Sequence, residues 1–423
     1  MACPVCQTDL AIRQLHFAGI PIFAQCDCTA CGETYLLDLP VGHSRLHPAI
    51  IQTKTEAIFH DGLPWYGRSL LNIVRTRGSP RRPNLRVRRR PRTSNSAVIV
   101  NCLDTRYGHS LLKLLSSLQY VSGEDSHHDA VVIIPAKLSW LVPSRVHGLI
   151  EVDLDWPNMG SWLSELDGVV KDILSTYEAA FVAEAISQPN LRLSDLSLLG
   201  PQFNRKPFWQ DRAKQGARRV TMIIREDDRL WIGWERLVRA IRRRPFLSRI
   251  GLSKLLVLYQ NAKFASVAKI LTTRMPELQI SVVGIGRTGR FPDYVIDLRK
   301  ASMTEPDELA WCVEYTRSDV VIGVHGSNML IPSALSGAVV EFLPLTKLRN
   351  ITQDLITGDT QEAKLCLFRY RILSIMTGPA YVAATVMSIL KDADMHHLNI
   401  IENRACSSAW LRPLKWKKLP GGF

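Results

Sequence analysis

DVVIGVHGSNMLIPSALSGAVVEF, residues Asp319 to Phe342, has the pattern of an apolar strand, a sharp turn, a helix and a second apolar strand. Val320 to Val324 is short and rich in β-branched residues, which favours a strand over a buried helix. Ser327 and Asn328 are suitable capping residues for the helix after the turn. Apolar strands joined by a helix indicate a parallel sheet covered on both faces.

The turn at His325 and Gly326 has a second interpretation. A helix that begins at the carboxyl end of a parallel strand presents free N–H groups and the positive end of its dipole, which suits a phosphate or diphosphate. Gly326 lets the backbone pass close to a ligand. An ordinary βαβ unit with a capped helix has the same pattern, so the turn alone does not separate the two interpretations.

The chain has 423 residues, enough for two domains and a small module. It contains no apolar run near the roughly 20 residues that span a bilayer. The N-terminal MACPVCQTDL lacks the basic and apolar segments of a secretory signal. We therefore expect a cytoplasmic protein, with peripheral attachment to the membrane through the basic tail RPLKWKKLPGGF as an alternative.

Five of the nine cysteines lie in the first 31 residues. They include two CxxC pairs with 21 residues between them, a spacing typical of a structural zinc ribbon. We predict this module over residues 1–40, with a hairpin from Leu10 to Gln25, and we expect it to need its metal to fold. Cys26 could replace Cys28 as a ligand. The predicted zinc ligands are Cys3, Cys6, Cys28 and Cys31.

The net charge of +14 is unevenly distributed, with six arginines between Arg236 and Arg249 and a run of nine between Arg75 and Arg92. A run of this kind cannot bury a core, so residues 41–96 are predicted to be an arginine-rich linker. Because arginine pairs well with phosphate, the stretch is a candidate contact for nucleic acid or an anionic membrane. A solvated linker without a ligand is the competing interpretation.

Residues 97–205 alternate between apolar strands and helices, which predicts a Rossmann-like parallel sheet. We predict a helix from Val169 to Ser187. Ligands of such sheets bind at the carboxyl ends of the strands, where Asp104 and His109 follow the first strand. His109 could instead cap the helix and pack there. The predicted strands are Ala97 to Cys102, Ala130 to Pro135 and Leu149 to Leu154.

Residues 206–376 repeat this alternation, and residues 377–423 are predicted to be a helix and tail. The fold class predicted is therefore α/β, with two Rossmann-like halves facing a cleft after a small zinc ribbon. Arg225, directly after a strand, would project into the cleft and could hold a diphosphate, or it could pair with Glu226 or Asp227. The predicted strands are Arg219 to Ile224, Lys254 to Tyr259, Ile280 to Ile285 and Tyr294 to Leu298. The predicted helices are Trp231 to Arg244, a helix ending at Met275, and Pro306 to Arg317.

A glycine pattern, Gly284-x-Gly286-x-x-Gly289, has the spacing of a dinucleotide-binding turn. That turn must open a helix, whereas a segment that contains proline follows Gly289. We therefore reject a nicotinamide or flavin site at this position.

Three segments resemble family 61 glycosyltransferases. DTRYGHSLLK, Asp104 to Lys113, resembles their YGHW/F-LL region, and IIREDDRLWIGWERL, Ile223 to Leu237, resembles their strand with two arginines before a helix. SDVVIGVHGSNMLIPSALSGAVVEFLP, Ser318 to Pro344, resembles their VG-HGAGLTN…GA-V-E signature, the most specific of the three. The resemblance covers about Ala97 to Leu345, roughly three-fifths of the chain.

The resemblance implies a GT-B architecture and metal-independent, inverting transfer of a hexose or pentose from a nucleotide sugar to a hydroxyl acceptor. It implies no catalytic metal, a donor against the C-terminal half, and Glu341 near the nucleotide ribose. We add Asn328 to the donor-binding residues because it belongs to the same turn. The residues implied to hold the diphosphate are Arg225, Arg229, His325, Gly326 and Ser327.

Inverting transfer needs a general base on the acceptor side. Asp104 and His109 are the candidates, with Asp104 preferred as a carboxylate at a strand end. Ser327-Asn328-Met329 and Gly233-Trp234 depart from the family pattern, and the zinc ribbon and arginine-rich stretch are not family features. The alternative function is therefore a protein that binds or modifies nucleic acid, with the glycosyltransferase-like body inactive or repurposed.

Overall fold

The computed structural model describes residues 2–45, 47–60, 64–79, 82–122, 127–186, 218–227, 229–234, 238, 240–241, 251–351, 355–356 and 369–400. The chain divides into two compact units. Unit 1 comprises residues 1–192 with 413–423, and unit 2 comprises residues 193–412.

Unit 1 begins with an antiparallel meander, which we call the N-terminal sheet. Its first two strands form the predicted hairpin, and the strands follow one another in chain order. Helix α1 (Pro64–Arg75) packs on this sheet through buried leucine and isoleucine side chains. The strands are β1 (Leu10–Phe17), β2 (Ile22–Cys28), β3 (Thr34–Asp38), β4 (Ala49–Gln52) and β5 (Ile58–His60).

The segment predicted as a linker, residues 41–96, contains secondary structure in both of its halves. Strands β4 and β5 and helix α1 belong to the N-terminal sheet and its cover. Strand β6 (Asn84–Arg89), in the arginine-rich part, pairs antiparallel with β9 (Gly148–Asp153). Ladder hydrogen bonds hold an edge strand through its backbone, so exposed arginine side chains do not prevent it from forming. The composition of the segment therefore misled the prediction.

The second sheet of unit 1 has the order β10-β7-β8-β9-β6, and all neighbours are parallel except β9 and β6. Strands β7 (Ser96–Asn101), β8 (Asp129–Pro135) and β9 lie where the sequence predicts strands. The helix predicted over Val169 to Ser187 is wrong after Leu174, where α4 (Ser164–Leu174) ends. Strand β10 (Ala179–Val182) follows and pairs with β7. The other helices are α2 (Tyr107–Ser116) and α3 (Leu118–Ser122).

The two sheets of unit 1 share one hydrophobic core. Phe17 and Ile22 of the N-terminal sheet belong to the same buried cluster as Ile99, Val131 and Ile150 of the second sheet. The N-terminal module therefore does not depend on metal alone for its burial, unlike an isolated module of about 40 residues.

Unit 2 contains a six-stranded, all-parallel sheet with the order β13-β12-β11-β14-β15-β16. Numbered within the unit, this is 3-2-1-4-5-6, the order of a doubly wound nucleotide-binding sheet. Its direction reverses between β11 and β14, so the loops after these two strands flank the topological switch point. The strands are β11 (Arg219–Ile224), β12 (Gln279–Gly284), β13 (Val295–Asp297), β14 (Val320–Val324), β15 (Ala338–Leu343) and β16 (Tyr370–Ser374).

Helices cover both faces of this sheet. Helices α5 (Leu252–Arg274) and α8 (Pro379–Ile400) pack on one face, where Phe264 and Val386 join the main core cluster. Helix α6 (Glu305–Arg317) lies on the other face, where Glu314 accepts a hydrogen bond from Ser281 at 2.8 Å. The short α7 (Leu330–Leu335) joins β14 to β15, as the sequence predicts.

The strand predicted over Lys254 to Tyr259 is wrong, because these residues lie in α5. Buried residues of that helix, including Val257, Phe264 and Leu271, recur at helical spacing. The continuous apolar run around Val257 hides this spacing in the sequence. Half of the residues of the helix predicted over Trp231 to Arg244 lie outside the described ones. Of the rest, Trp231 to Gly233 form a turn, and Val238, Ala240 and Ile241 are helical. The tail after residue 400 also lies outside them.

Within the described part of the chain, no helix combines the length and apolarity that crossing a bilayer requires.

Candidate functional site

The four predicted metal ligands of the N-terminal module lie together and could hold a metal ion. The Sγ atoms of Cys3 and Cys31 are 3.8 Å apart, and those of Cys6 and Cys28 are 3.3 Å apart. Thiolates around a tetrahedral zinc ion lie about 3.8 Å from one another, since each Zn–S bond is about 2.3 Å. The geometry of the group therefore suits a closed, structural S₄ site.

Cys26, the alternative ligand, is not a member of this group. Its thiol is buried and faces the carbonyl of Ala24 at 3.6 Å. Burial raises the pKa of the Cys26 thiol, which disfavours the thiolate form that binds metal.

Two arginines of unit 2, Arg225 and Arg229, lie at the switch point of its sheet. Arg225 follows β11, and His325 and Gly326 follow β14, the neighbouring strand. A Cβ atom at Gly326 would lie 2.6 Å from Nη1 of Arg225 and 2.4 Å from Nη1 of Arg229. Gly326 has a φ of +144°, so its backbone conformation favours glycine, and an added Cβ atom would displace both guanidinium groups. The structure therefore brings the predicted cationic groups and the turn into contact.

Arg225 is oriented by an acidic and an amide side chain. Its Nε donates to Oδ1 of Asp227 at 2.9 Å, and its Nη2 donates to Oδ2 of the same carboxylate. Nη1 donates to Oδ1 of Asn328. Burial alone would raise the pKa of Asp227, but Arg225 and Arg229 outweigh it and lower the pKa. The pairing with Asp227 that the sequence analysis considered is therefore present, together with the contact to the turn.

His325 and Glu341 form a buried pair beneath the turn. Nδ1 of His325 hydrogen-bonds Oε1 of Glu341, whose Oε2 accepts from the hydroxyl of Tyr370. His325 and Glu341 are both 1% exposed, so Glu341 lies under the histidine instead of on a ligand-facing surface. Tyr370 was not predicted. It begins β16, a strand that pairs with β15 and that the sequence analysis did not identify.

The turn itself differs from the predicted capped helix. Ser327 to Met329 form a 3-10 turn without a side-chain cap, and the following α7 has six residues. The dipole of this short helix therefore contributes little positive potential compared with the two arginines. Met329 is buried and packs against Gly323 of β14, so its bulk is directed into the core. Nδ2 of Asn328 has no hydrogen-bond partner among the described residues.

The rejected glycine pattern forms a loop beside the arginines. Gly284, Gly286 and Gly289 all have positive φ, at +130°, +114° and +69°. Glu226 accepts from the backbone N–H of Thr288 at 2.8 Å and from its hydroxyl at 2.6 Å. Arg299, 1% exposed, donates to the carbonyls of Thr288 and Gly289 at 3.0 and 2.9 Å. The loop is therefore fixed by side chains of the unit itself.

In unit 1, Asp104 and His109 lie together. Nδ1 of His109 is 3.2 Å from Oδ1 of Asp104, and Nζ of Lys113 is 3.4 Å from Oδ2. Lys113 also donates to the carbonyl of Leu103 at 2.5 Å. Burial would raise the pKa of Asp104, but Lys113 and His109 hold it well below its usual range. Asp104 is therefore a weak proton acceptor.

His43 completes this cluster, and the sequence analysis missed it. It lies in the 3-10 turn Gly42–Arg45 after β3, and its ring centroid is 5.7 Å from that of His109. Burial, aided by Lys113, lowers the pKa of His43 to about 4, so its ring is neutral at pH 7. The two histidines are 66 residues apart in the sequence, and only the shared core of the two sheets brings them together.

No protein-family model matches the chain, and a search of curated proteins also finds no match.

Proposed function

We propose that the protein is an inverting, metal-independent glycosyltransferase, which moves a sugar from a nucleotide-sugar donor to a hydroxyl acceptor. The observation that carries the proposal is the contact of Arg225 and Arg229 with Gly326 at the switch point of the unit 2 sheet. Doubly wound sheets bind nucleotides at this position. Two guanidinium groups there can offset the charge of a diphosphate leaving group without a metal.

Each neighbouring group supports a role in donor binding. Asp227 and Asn328 hold the guanidinium of Arg225 in place before a ligand arrives. Asn328 also offers an amide N–H₂ to an incoming oxygen. Glu341 and Tyr370 orient His325, which shares the turn with Gly326. A diphosphate would therefore meet a preorganised set of donors, which is the arrangement that stabilises developing negative charge.

The acceptor proton is proposed to go to the cluster in unit 1. His109 suits the role of general base, because its Nδ1–H can donate to Asp104 and leave Nε2 to accept a proton. Asp104 is then the orienting carboxylate. The sequence favoured Asp104 as the base. The structure favours His109 instead, because Lys113 lowers the pKa of Asp104.

We also propose that the four-cysteine group holds a structural zinc ion. Its S₄ ligand set strongly favours zinc over harder divalent ions.

The donor proposal is tested by thermal shift with UDP-, GDP- and CMP-linked sugars. At least one of these sugars should raise the melting temperature of the wild type, and the wild type should slowly hydrolyse it. Arg225→Ala should abolish both the rise and the hydrolysis. Arg218→Ala is the matched control, since Arg218 precedes the same strand at its amino end, where it donates to the carbonyl of Leu390. If no nucleotide sugar stabilises the wild type, the proposal is rejected.

A second candidate function, nucleic-acid binding, is favoured by strand β6. Arg86, Arg88 and Arg89 are exposed on this edge strand, and Arg90 directly follows it. Arg88 and Arg89 pair with Glu151 and Asp172, each at 2.6 Å, which reduces the net charge available to phosphates. Fluorescence anisotropy with random DNA should show affinity that falls steeply with salt and is lost in Arg86→Glu/Arg90→Glu. Equal affinity of the double variant would contradict this function.

A further inference from the structure

Three potential metal ligands converge where the N-terminal sheet of unit 1 meets the second sheet. His43 comes from the turn after β3, whereas Asp104 and His109 follow β7. One ligand atom from each lies within 4.8 Å of the other two. We infer that these residues form a second metal site, separate from the four-cysteine group, for one divalent transition-metal ion such as Zn²⁺ or Fe²⁺.

The ligand chemistry selects this class of ion. Two imidazoles and one carboxylate suit borderline transition metals better than Mg²⁺ or Ca²⁺, which prefer oxygen ligands. Bonds of about 2.0–2.2 Å place neighbouring ligand atoms about 3 Å apart. Nδ1 of His109 and Oδ1 of Asp104 are already 3.2 Å apart. One ligand atom of His43 lies within 4.8 Å of those of the other two residues, a distance that side-chain rotation can shorten.

The surroundings have the features of a partly open metal site. Lys113, 3% exposed, lies beside Oδ2 of Asp104 and leaves Oδ1 as a single ligand atom. A partner on the second oxygen orients a ligating carboxylate. The side chain of His109 is 27% exposed, which gives an ion a path from solvent. The rings of Trp65 and Tyr66 flank His43, with ring centroids at 5.9 and 5.8 Å.

The short contact between His109 and Asp104 has two chemical explanations. A proton on Nδ1 accounts for it as a hydrogen bond, and an ion shared by both atoms accounts for it equally well. Binding of the ion displaces that proton, so uptake releases acid. With the ion bound, His109 would be a ligand instead of the general base, and the ion would supply the lowered pKa of an acceptor hydroxyl. Transfer would then be metal-independent on the donor side alone. The inference therefore goes beyond the proposed function: it changes the acceptor side and leaves the donor side as proposed.

The test is a Co²⁺ titration of the full-length protein after its cysteine site has been filled with zinc. Bound metal is measured by mass spectrometry after gel filtration, together with the visible absorption of cobalt. We expect the wild type to bind one ion more than the cysteine group holds. His43→Asn and His109→Asn should each lose that ion, and Asp104→Asn should weaken its binding at least tenfold, as expected for loss of a ligand.

His147→Asn is the matched control, because His147 also faces a buried carboxylate, Asp129, at 3.3 Å but belongs to no group of three ligands among the described residues. It should bind as much cobalt as the wild type. The inference is overturned if the wild type binds no ion beyond the cysteine group, or if both histidine variants retain the second ion. Donor-induced thermal shift of His43→Asn separates the two proposals. It should persist when the second ion is lost, because the donor residues belong to unit 2.

Discussion

Gly326 combines a backbone conformation reserved for glycine with direct contact to two arginines. Gly326→Ala should therefore cost about 1–3 kcal/mol of stability from backbone strain and also displace Arg225 and Arg229. We expect the variant to unfold at lower urea concentration and to lose the thermal shift produced by the donor.

Gly251→Ala separates the two effects. Gly251 also has positive φ, +81°, but a Cβ atom there would meet nothing within 4 Å. It should lose stability and keep the donor shift. If Gly326→Ala retains the full shift, the turn does not take part in donor binding.

Asp38 gives unit 1 a measurable pH dependence. Burial raises its pKa to about 7, although Tyr66 donates to it at 2.5 Å. Because the pKa of Asp in an unfolded chain is about 3.9, the folded state holds the extra proton between these values. The contribution of Asp38 to stability therefore falls as pH rises from about 4 to 7, and it stays low above that.

Asp38→Asn removes this titration while keeping a hydrogen-bonding side chain. Relative to the wild type, the variant should gain roughly 1–3 kcal/mol between pH 5 and pH 8, as measured by urea unfolding at both values. A difference in stability that does not change with pH would show that the Asp38 carboxyl ionises normally.

Among the elements, the N-terminal sheet shares its core with the second sheet of unit 1. Metal removal should therefore lower the melting temperature without abolishing folding, because much of the burial persists when the thiolates are free. A chelator, or Cys6→Ser, should shift the melting curve by several degrees and leave it cooperative.

Cys26→Ala is the control for this experiment, since Cys26 lies outside the ligand group. The Cys26→Ala variant should be less stable than the wild type because a buried side chain is shortened. The chelator should still lower its melting temperature. Complete loss of the transition on chelation would mean that the metal alone folds the module.

The elements also show what sequence can predict. The strands and helix from β14 to β15 were predictable because short β-branched runs are local signals, although the predicted side-chain cap is absent. The first part of helix α5 was predicted as a strand because the apolar run Leu255 to Tyr259 resembles a buried strand, whereas its second part was predicted as a helix. Strand β6 was missed because its pairing with β9 is a long-range backbone interaction. His43 and Tyr370 were missed for the same reason, since their partners are distant in sequence.

At the scale of the molecule, the donor proposal assigns ligand binding to unit 2. Hydrogen exchange with a bound nucleotide sugar should slow the amides of Ser327 to Leu330, at the switch point. The amides of the N-terminal sheet in unit 1 should exchange at their unliganded rates. Protection confined to unit 1 would contradict the assignment.

The α/β class and a cysteine group at the N-terminus could be predicted, because both the alternation of strands with helices and the CxxC spacing are visible within short stretches of sequence. The sheet order of unit 2 could not be, since pairing of β11 with β14 joins segments 100 residues apart. It is this pairing that brings Arg225 to Gly326 and creates the candidate site.

Strand β6 has a consequence for solubility. It is the last strand of its sheet among the described residues, and Arg86, Arg88 and Arg89 are exposed along it. An open sheet edge is a template on which a second chain can add a strand, and like charges along the edge oppose that addition. The arginines thus act as a barrier to self-association, which a neutral edge of the same length would lack.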